Sequence, residues 1–535
     1  MSTVRTSHAL AGSLVPGARL ASRLGLSDRS MAAMAVLASA TVGAGWHLFM
    51  SLRRADGLTS GAFDQAYFQQ LVWNLSQGNG LRSSFNPGEF LGLHFSPLLA
   101  LPAALQPLWS DARLLHALQA LAIGLSVVAA FLLVRAILRS APERHWMAAA
   151  LALPIPFWAV MQQQTRAGFH TEILALPLIL LAGWAGLTQR AALFWLFALL
   201  ALGAKEDQVF PVAVIGLLVA ARAPGRVTCG MRRMGLALTG VAVVWAVLVF
   251  GLVMPALRAG VTYDIDRYYA WLGGAAGLLR APFEQTDALV AALTRPEGWL
   301  VTSGLVISLA LLPVLRPRWA LLLVPPTVVH LLSRHEPQPQ LLLQYGLLLV
   351  VPAIVAGGLG ARRLLAFRRR WARHGAGSRP PVARDGARSG ARSGSRSRRS
   401  GRAPVAVLAG LGLLIGPAFG VAFARGAVPP FSWVEQGFYS RPAAVDRLVR
   451  ATSSIPPGAP ISADWGAAAT LADRPRLELP PVASPDTYVV IDRSAYVTGV
   501  LRWRDRGAWL EALEDSGRRL LVDDGRFQVW GPLDG

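Results

Sequence analysis

The polypeptide alternates between long apolar runs and short charged joints, and that alternation decides what it can fold into. Eleven apolar runs can be read, at about 31–50, 113–135, 146–161, 173–188, 191–204, 208–222, 235–255, 299–315, 319–333, 341–360 and 404–424. A helix needs about 20 predominantly apolar residues to cross a bilayer, because backbone amides left unsatisfied in hydrocarbon are costly. Some runs are short, such as 191–204 and 319–333, and these are expected to tilt, to sit inside the bundle or to extend at their ends. The segment 95–109 is too short and proline-rich to span and is expected to be re-entrant or interfacial. With 53% hydrophobic and only 15% charged residues, the chain reads as a polytopic membrane protein rather than a soluble enzyme. The expected fold class is mainly α, a helical membrane bundle of about 11 spans. No convincing signal-peptide cleavage site is seen, and the run 31–50 is read as an uncleaved first helix.

The joints sort by charge. With the N-terminal tail 1–30 placed in the cytoplasm, the inner loops 136–145, 189–190, 222–234, 316–318 and 361–403 are basic and nearly free of acids. The outer loops 51–112, 161–172, 205–207, 256–298 and 334–340, with everything after 425, carry nearly all the acids. The positive-inside rule is met at every turn. The stretch 361–403 holds fourteen arginines against one acid, Asp385. Its 370–403 part is of low complexity and is expected to be disordered, and it reads as a cytoplasmic linker touching anionic lipid. Nucleic-acid binding is disfavoured, since the run lacks interleaved aromatics. The single cysteine, Cys229, excludes an intrachain disulfide, and no Cys/His cluster has zinc spacing.

After the last run the pattern changes. Residues 486–492 and 518–531 alternate polar and apolar positions as strands do, the second folding into a hairpin at Asp524-Gly525. Helical patterns flank them at 441–453 and 506–516. Residues 425–535 are therefore expected to form a small α/β domain on the extracytoplasmic face.

Chemistry-bearing residues gather in the outer loops. Among 52 basic residues the only lysine is Lys205, followed directly by Glu206 and Asp207 and flanked by two apolar runs. Charges at that depth are costly and are therefore paired or functional, so a salt-bridged interfacial cluster and a site role are both open. The piece 63–76 has an amphipathic helical pattern and suggests a helix lying along the interface. It carries Asp64, either a helix N-terminal charge favoured by the dipole or a catalytic carboxylate. His94 follows a glycine-rich turn; a lone histidine is more often a hydrogen-bonded core residue than a ligand. The second outer loop brings Arg166, His170 and Glu172; the two-residue spacing puts His170 and Glu172 on one face only in a loop. In 263–271, Asp264, Asp266 and Arg267 alternate with Tyr263, Tyr268, Tyr269 and Trp271, a membrane belt or a sugar-stacking surface. Arg334, His335 and Glu336 follow, then Gln344-Tyr345. No P-loop, dinucleotide fingerprint or His-Glu-x-x-His motif is present. Outward acids, histidines and a few cations suit a lipid-linked phosphate donor better than a cytoplasmic nucleotide-bound one.

Read in order, Phe63-Asp64-Gln65, Trp73-Asn74, Gly78 and Gly80, His94-Phe95-Ser96-Pro97, Phe169-His170 with Glu172, and Lys205-Glu206-Asp207 resemble the domain-of-unknown-function 2079 family of bacterial polytopic membrane proteins. The resemblance covers about 45–350 and continues loosely into the tail. It departs at Gln344-Tyr345, where a His-Tyr pair is expected, and near Ala469-Thr470, where Pro-His is expected. The family in turn resembles the GT-C membrane glycosyltransferases, which use polyprenyl-phosphate sugars and carry an essential acid in the first outer loop. That resemblance implies a bacterial cell-membrane enzyme passing a sugar from a polyprenyl-phosphate donor to an envelope glycan, lipid or protein acceptor. Asp64 would be the general base, and Lys205 and Arg166 would neutralise the donor phosphate. His94, His170, Glu172 and Glu206 would shape the site, with Gln65 and Tyr345 on the substrate. Asp207 would pair with Lys205 or hold a divalent metal, the one cofactor the residues admit. The competing class is a non-enzymatic lipid-carrier binding or flipping protein, or an envelope-assembly scaffold, which needs the cations but no proton acceptor. Transporters usually bury polar groups deep within spans, whereas here the charges gather at the outer ends.

Overall fold

The computed structural model describes residues 27–86, 88–109, 111–221, 228–258, 260, 264–273, 280–377, 442–495 and 506–533. Ten of the eleven apolar runs lie within these residues; the run 404–424, the linker beyond 377 and the tail before 27 lie outside them.

Among the described residues, four helices are long and apolar enough to cross a membrane: Asp28–Asp56, Arg113–Ile137, Cys229–Leu257 and Tyr345–Trp371. We label α1 as Asp28–Asp56, α2 as Tyr67–Ser76, α3 as Arg113–Ile137, α4 as Ala159–Ala167, α5 as Glu172–Leu187, α6 as Ala191–Leu202, α7 as Val209–Ala220, α8 as Cys229–Leu248 and α9 as Val350–Gly377. Three expected runs are broken where proline removes a backbone donor and crowds the preceding turn. The run 146–161 splits around Pro154 and Pro156 into Arg144–Ala152, a 3-10 turn at Ile155–Phe157 and α4. The run 299–315 ends its helix at Ser308 and resumes as a 3-10 turn at Leu312–Leu315, and 319–333 is divided into three short pieces. The segment 95–109 forms short helical turns around Ala100–Leu105.

The hub of the bundle is α3, which packs against α1 and α5; α7 packs against α8. Small residues permit the closest approach, as is usual between membrane helices. A Cβ on Gly216 of α7 would lie 2.7 Å from the Gly235 carbonyl oxygen of α8. The outer face of α8 shows Leu236, Val243, Val244 and Val247 to the surroundings, an apolar surface fitted to lipid.

The two ends of the bundle differ in charge. At one end, α9 continues as a helix through 361–377, so the basic stretch expected to be a linker begins as an extension of the tenth run. There Arg369 pairs with Glu143 at 3.3 Å and Arg363 donates to the Leu315 carbonyl at 2.9 Å, which joins three basic loops. The acidic loops and the C-terminal domain share the opposite end.

The C-terminal domain contains the expected strand at 488–492 and the expected hairpin, with two further strands that the sequence reading did not identify. Its strands are β1 (Ile461–Ala463), β2 (Leu477–Glu478), β3 (Tyr488–Asp492), β4 (Leu520–Asp523) and β5 (Phe527–Trp530), in the order β2-β1-β3-β5-β4. The first three are parallel; β4 and β5 form the antiparallel hairpin read at Asp524-Gly525. Helices Val445–Ala451 and Arg506–Glu514 lie where the flanking patterns placed them.

The amphipathic piece 63–76 is not free on its polar side. It begins as a π-turn, Ala62–Ala66, and continues as α2. Phe68, Leu71 and Val72 join the bundle core, and the polar face is buried as well, because the C-terminal domain covers it. Gln69 donates to Asp473 at 2.6 Å, Gln70 to the Arg474 carbonyl at 3.0 Å, and Ser84 to the Leu477 carbonyl at 2.7 Å. The Phe63 and Trp465 rings meet edge to face at 5.1 Å.

This seam is tight at Gly466, where a Cβ would lie 2.0 Å from the Leu58 carbonyl oxygen. Gly466→Ala must push the two domains apart, at a cost of about 1–3 kcal/mol. Expected outcomes are a lower thermal midpoint and faster proteolysis of the C-terminal domain; wild-type behaviour in both assays would refute the seam as described.

Candidate functional site

Four segments converge at the acidic end of the bundle: the π-turn before α2, the loop around His94, the α4–α5 turn and the α6–α7 turn. Their arrangement starts with Arg54, buried near the end of α1, whose guanidinium binds the carbonyls of Thr165 and Arg166 and also that of Thr59, at 2.9 Å. The α4–α5 turn is thereby held beside the first outer loop. Gly168 then takes φ +95°, a conformation that costs any other residue. A Cβ there would meet Asp64 at 3.6 Å and Gln65 at 3.5 Å. Gln65 fixes the contact: its amide oxygen accepts from the Phe169 N–H at 3.1 Å, and its amide nitrogen donates to the Ala112 carbonyl at 3.3 Å.

His170 is thus presented to Asp64, with its Nε2 3.3 Å from Oδ1. The imidazole is almost wholly buried, while the carboxylate is 37% exposed. Burial works against the charged imidazole, but the hydrogen bond and charge of Asp64, joined by Glu172, outweigh it and raise its pKa. His170 and Glu172 diverge: the histidine turns to Asp64, and Glu172 begins α5 and binds the Lys205 ammonium directly. Asp207 stands 3.8 Å from the same ammonium. For Lys205, burial is overcome by Glu172, Asp207 and Glu206, and its pKa is raised. Lys205 therefore belongs to a buried salt-bridged cluster, one of the two readings open for it.

Glu206 faces the other way. Its carboxylate accepts from the Phe95 N–H and lies against His94 Nδ1, both at 2.9 Å. Burial is outweighed by His94 and Lys205, and Glu206 is held well below the usual carboxylate range. Asp207 departs in the opposite direction, to about 6: burial pushes it up, Lys205 pulls it down, and Glu172 and Glu206 add to the rise. Three phenylalanines seat the imidazoles, Phe68 and Phe169 packing edge to face with His170 at 5.4 Å from the first, and Phe90 lying 5.7 Å from His94.

Of the expected site residues, Asp64, Gln65, His94, His170, Glu172, Lys205, Glu206 and Asp207 share this one polar layer. Arg166 sits two residues before Gly168, its backbone held by Arg54. Tyr345 stands beside the layer in a ring group that the sequence did not reveal as one: His330 lies 5.5 Å from it, His335 lies 6.0 Å from it, and Tyr268 stacks on His335 at 4.4 Å. The only signal in the sequence was a preference for aromatic and imidazole residues in adjacent outer loops. The 263–271 aromatics serve this packing: Trp271 donates to the Leu332 carbonyl at 2.9 Å and Tyr269 to that of Val329 at 3.0 Å. Tyr263 lies outside the described residues. Gln344, where a histidine was expected, is buried beside Tyr345. Among the described residues no three His, Cys, Asp or Glu side chains gather to hold a metal ion. Of the two tasks open to Asp207, the structure shows the ion pair with Lys205, at 3.8 Å.

A family model described as a predicted membrane protein, DUF2079, matches residues 54–495. No curated protein matches the chain. Among solved structures, ArnT from Cupriavidus metallidurans bound to undecaprenyl phosphate is similar with a TM-score of 0.44 at 14% identity, over 92% of this chain and 97% of that one. The same protein in the apo state gives 0.40 at 14% identity, over 91% and 97%. The archaeal oligosaccharyltransferase AglB from Archaeoglobus fulgidus, in complex with an inhibitory peptide and a dolichol-phosphate, gives 0.33 at 12% identity, over 84% and 69%.

Two outcomes follow from the electrostatics. Removing Lys205, as in Lys205→Met, leaves Glu172 buried without its cation and should cost about 3–5 kcal/mol of stability. Lys205→Met combined with Glu172→Gln should recover much of that loss, and additive thermal shifts would show that the pair is not coupled. Asp207 has a raised pKa, so its stabilising contribution is complete below the ordinary value of 3.8 and is lost as pH rises through about 6. Asp207→Asn should flatten the thermal midpoint across that window.

Proposed function

The chain belongs to the DUF2079 family of predicted membrane proteins, and from that premise and the geometry of the polar layer we propose that it is a GT-C-like membrane glycosyltransferase. It moves a sugar from a polyprenyl-phosphate donor to an envelope acceptor at the membrane face that carries the C-terminal domain. In this reading that face is the outer one of a bacterial cell membrane, with the N-terminus in the cytoplasm. The basic loops gathered at the opposite end of the bundle support the orientation.

The observation that carries the reading is the Asp64–His170 pair. A half-open carboxylate held 3.3 Å from a buried imidazole is a base with an orienting partner, at a place an acceptor can reach. Asp64 takes the proton from an acceptor hydroxyl. The acceptor oxygen bonds to the anomeric carbon from the face opposite the phosphate. The bond from that carbon to the phosphate oxygen breaks, and the polyprenyl phosphate leaves with the electron pair. The anomeric configuration inverts.

His170 holds the carboxylate in place and offers positive charge nearby. Lys205 is held by Glu172 through one of its three donors; Asp207 lies at ion-pair distance, which leaves donors for the phosphate. Arg166 supplies a second cation beside the Asp64 turn. Glu206 and His94 brace the layer from the His94 loop, and Tyr345 closes its edge. The alternative, a lipid-carrier binding or flipping protein or an assembly scaffold, uses the cations but gives the Asp64–His170 pair no task.

Asp64→Asn, isosteric and close to the surface, should fold and bind a polyprenyl-phosphate sugar as the wild type does, with transfer slowed by about a hundredfold or more. This is read by native mass spectrometry for binding and by radiolabelled sugar transfer for turnover. Wild-type transfer in the variant would remove the base assignment. Lipid binding with no turnover by any form of the protein would favour the carrier reading.

A further inference from the structure

A cavity of about 220 Å³, lined by Gln65 but not by Asp64, lies where the N-terminal end of α3 meets the C-terminal domain. Its polar lining comes from both domains: Ser60, Gln65, Asp111, Arg113 and His116 from the bundle, Thr470 and Asp473 from the tail. His116 is 2% exposed, and neither of its ring nitrogens has a hydrogen-bond partner. A buried imidazole without partners is costly, and this one lines a cavity where a ligand can supply both a donor and an acceptor.

The rest of the lining narrows the ligand. Arg113 is already engaged, by Asp56 at 3.1 Å and by Asp111 at 3.8 Å. Asp473 receives hydrogen bonds from Gln69 at 2.6 Å and Gln106 at 3.4 Å. Two carboxylates against one neutralised guanidinium repel an anion. The groups that remain, an imidazole, side-chain hydroxyls and carboxylate lone pairs, suit hydroxyls, which donate and accept at once. Val445 and Val449 supply an apolar wall for the C–H face of a ring. The volume admits one ring and little more.

We propose that this cavity is a recognition site for a single neutral sugar ring, either free or as the terminal unit of a glycan, bound across the seam between the bundle and the C-terminal domain. The site stands apart from the proposed transfer, because Asp64, His170 and Lys205 are not part of its lining. Its occupant bridges Asp111 and His116 to Thr470 and Asp473 and so ties the docking of the C-terminal domain to the presence of a sugar.

The test uses the full chain in nanodiscs with D-mannose, D-galactose and D-arabinose, their methyl glycosides, a trehalose disaccharide and sodium phosphate as the anionic control. Hydrogen–deuterium exchange on the wild-type protein should show saturable protection of 111–116 and 466–473 by at least one sugar and none by phosphate. Thr470→Trp, which fills the cavity from its half-buried rim, should weaken binding at least about tenfold, the loss of one good hydrogen bond or more; Thr470→Ser should bind as the wild type does. Asp64→Asn should retain binding, so that failure of the transfer reading leaves this result untouched. Binding of the methyl glycosides or trehalose as tightly as of free sugars assigns the site to glycan ends, and binding of free sugars alone assigns it to a monosaccharide. No protection by any sugar, protection by phosphate instead, or binding unchanged in Thr470→Trp would overturn the proposal.

Discussion

A lysine at membrane level must carry its counter-charge with it. Only 12% of the Lys205 side chain and 4% of that of Glu172 is exposed, and neither ion is tolerable there alone. Their pairing fixes the start of α5 against the α6–α7 turn, and the rest of the polar layer is ordered around that joint. With Glu172 held by Lys205, the preceding turn is free to present His170 to Asp64. With Lys205 occupied on one side, Glu206 is turned outward to His94. One buried ion pair thus sets the direction of two histidines that never touch it.

The second constraint is the burial of a polar helix face. Gln69, Gln70 and Asn74 would be a surface in an isolated loop, yet they are covered. Buried amides need partners; the C-terminal domain provides them for Gln69 and Gln70 through Asp473 and the carbonyl of Arg474, while Asn74 donates to the Arg82 carbonyl of its own loop. The segment that carries Asp64 and α2 is therefore both a wall of the polar layer and the dock of the C-terminal domain. Asp64 lies on that wall, so movement of the C-terminal domain reaches the candidate base through one turn of chain.

The sequence revealed composition and local pattern, and these governed what could be foreseen. Apolar runs, basic joints, the C-terminal hairpin and the gathering of Asp64, His94, His170 and Lys205 in acidic loops were legible because each depends on nearby residues. The pairings were not. His94 and Glu206 are 112 positions apart, and Gln69 and Asp473 are 404 apart; with one sequence nothing marks such partners. The unbroken spans were over-read for a local reason: hydropathy averages over Pro154, Pro156 and Pro313, which end helices without making a run less apolar. The helix 63–76 was misjudged for the reverse reason, since amphipathicity shows that two faces differ but not what covers the polar one.

Charge placement also separates the two functional classes. A carrier that releases its lipid needs cations that can let go, and a cation bound by carboxylates on both sides already does that. A transferase needs in addition one carboxylate left open to solvent with its geometry fixed from behind. In the proposed transfer Asp64 takes that place, 37% exposed and backed by an imidazole that is 7% exposed. The layer grades from buried and paired at Glu172 and Glu206 to open at Asp64. The proposed transfer depends on that asymmetry, an open carboxylate fixed from behind, more than on the number of charged residues.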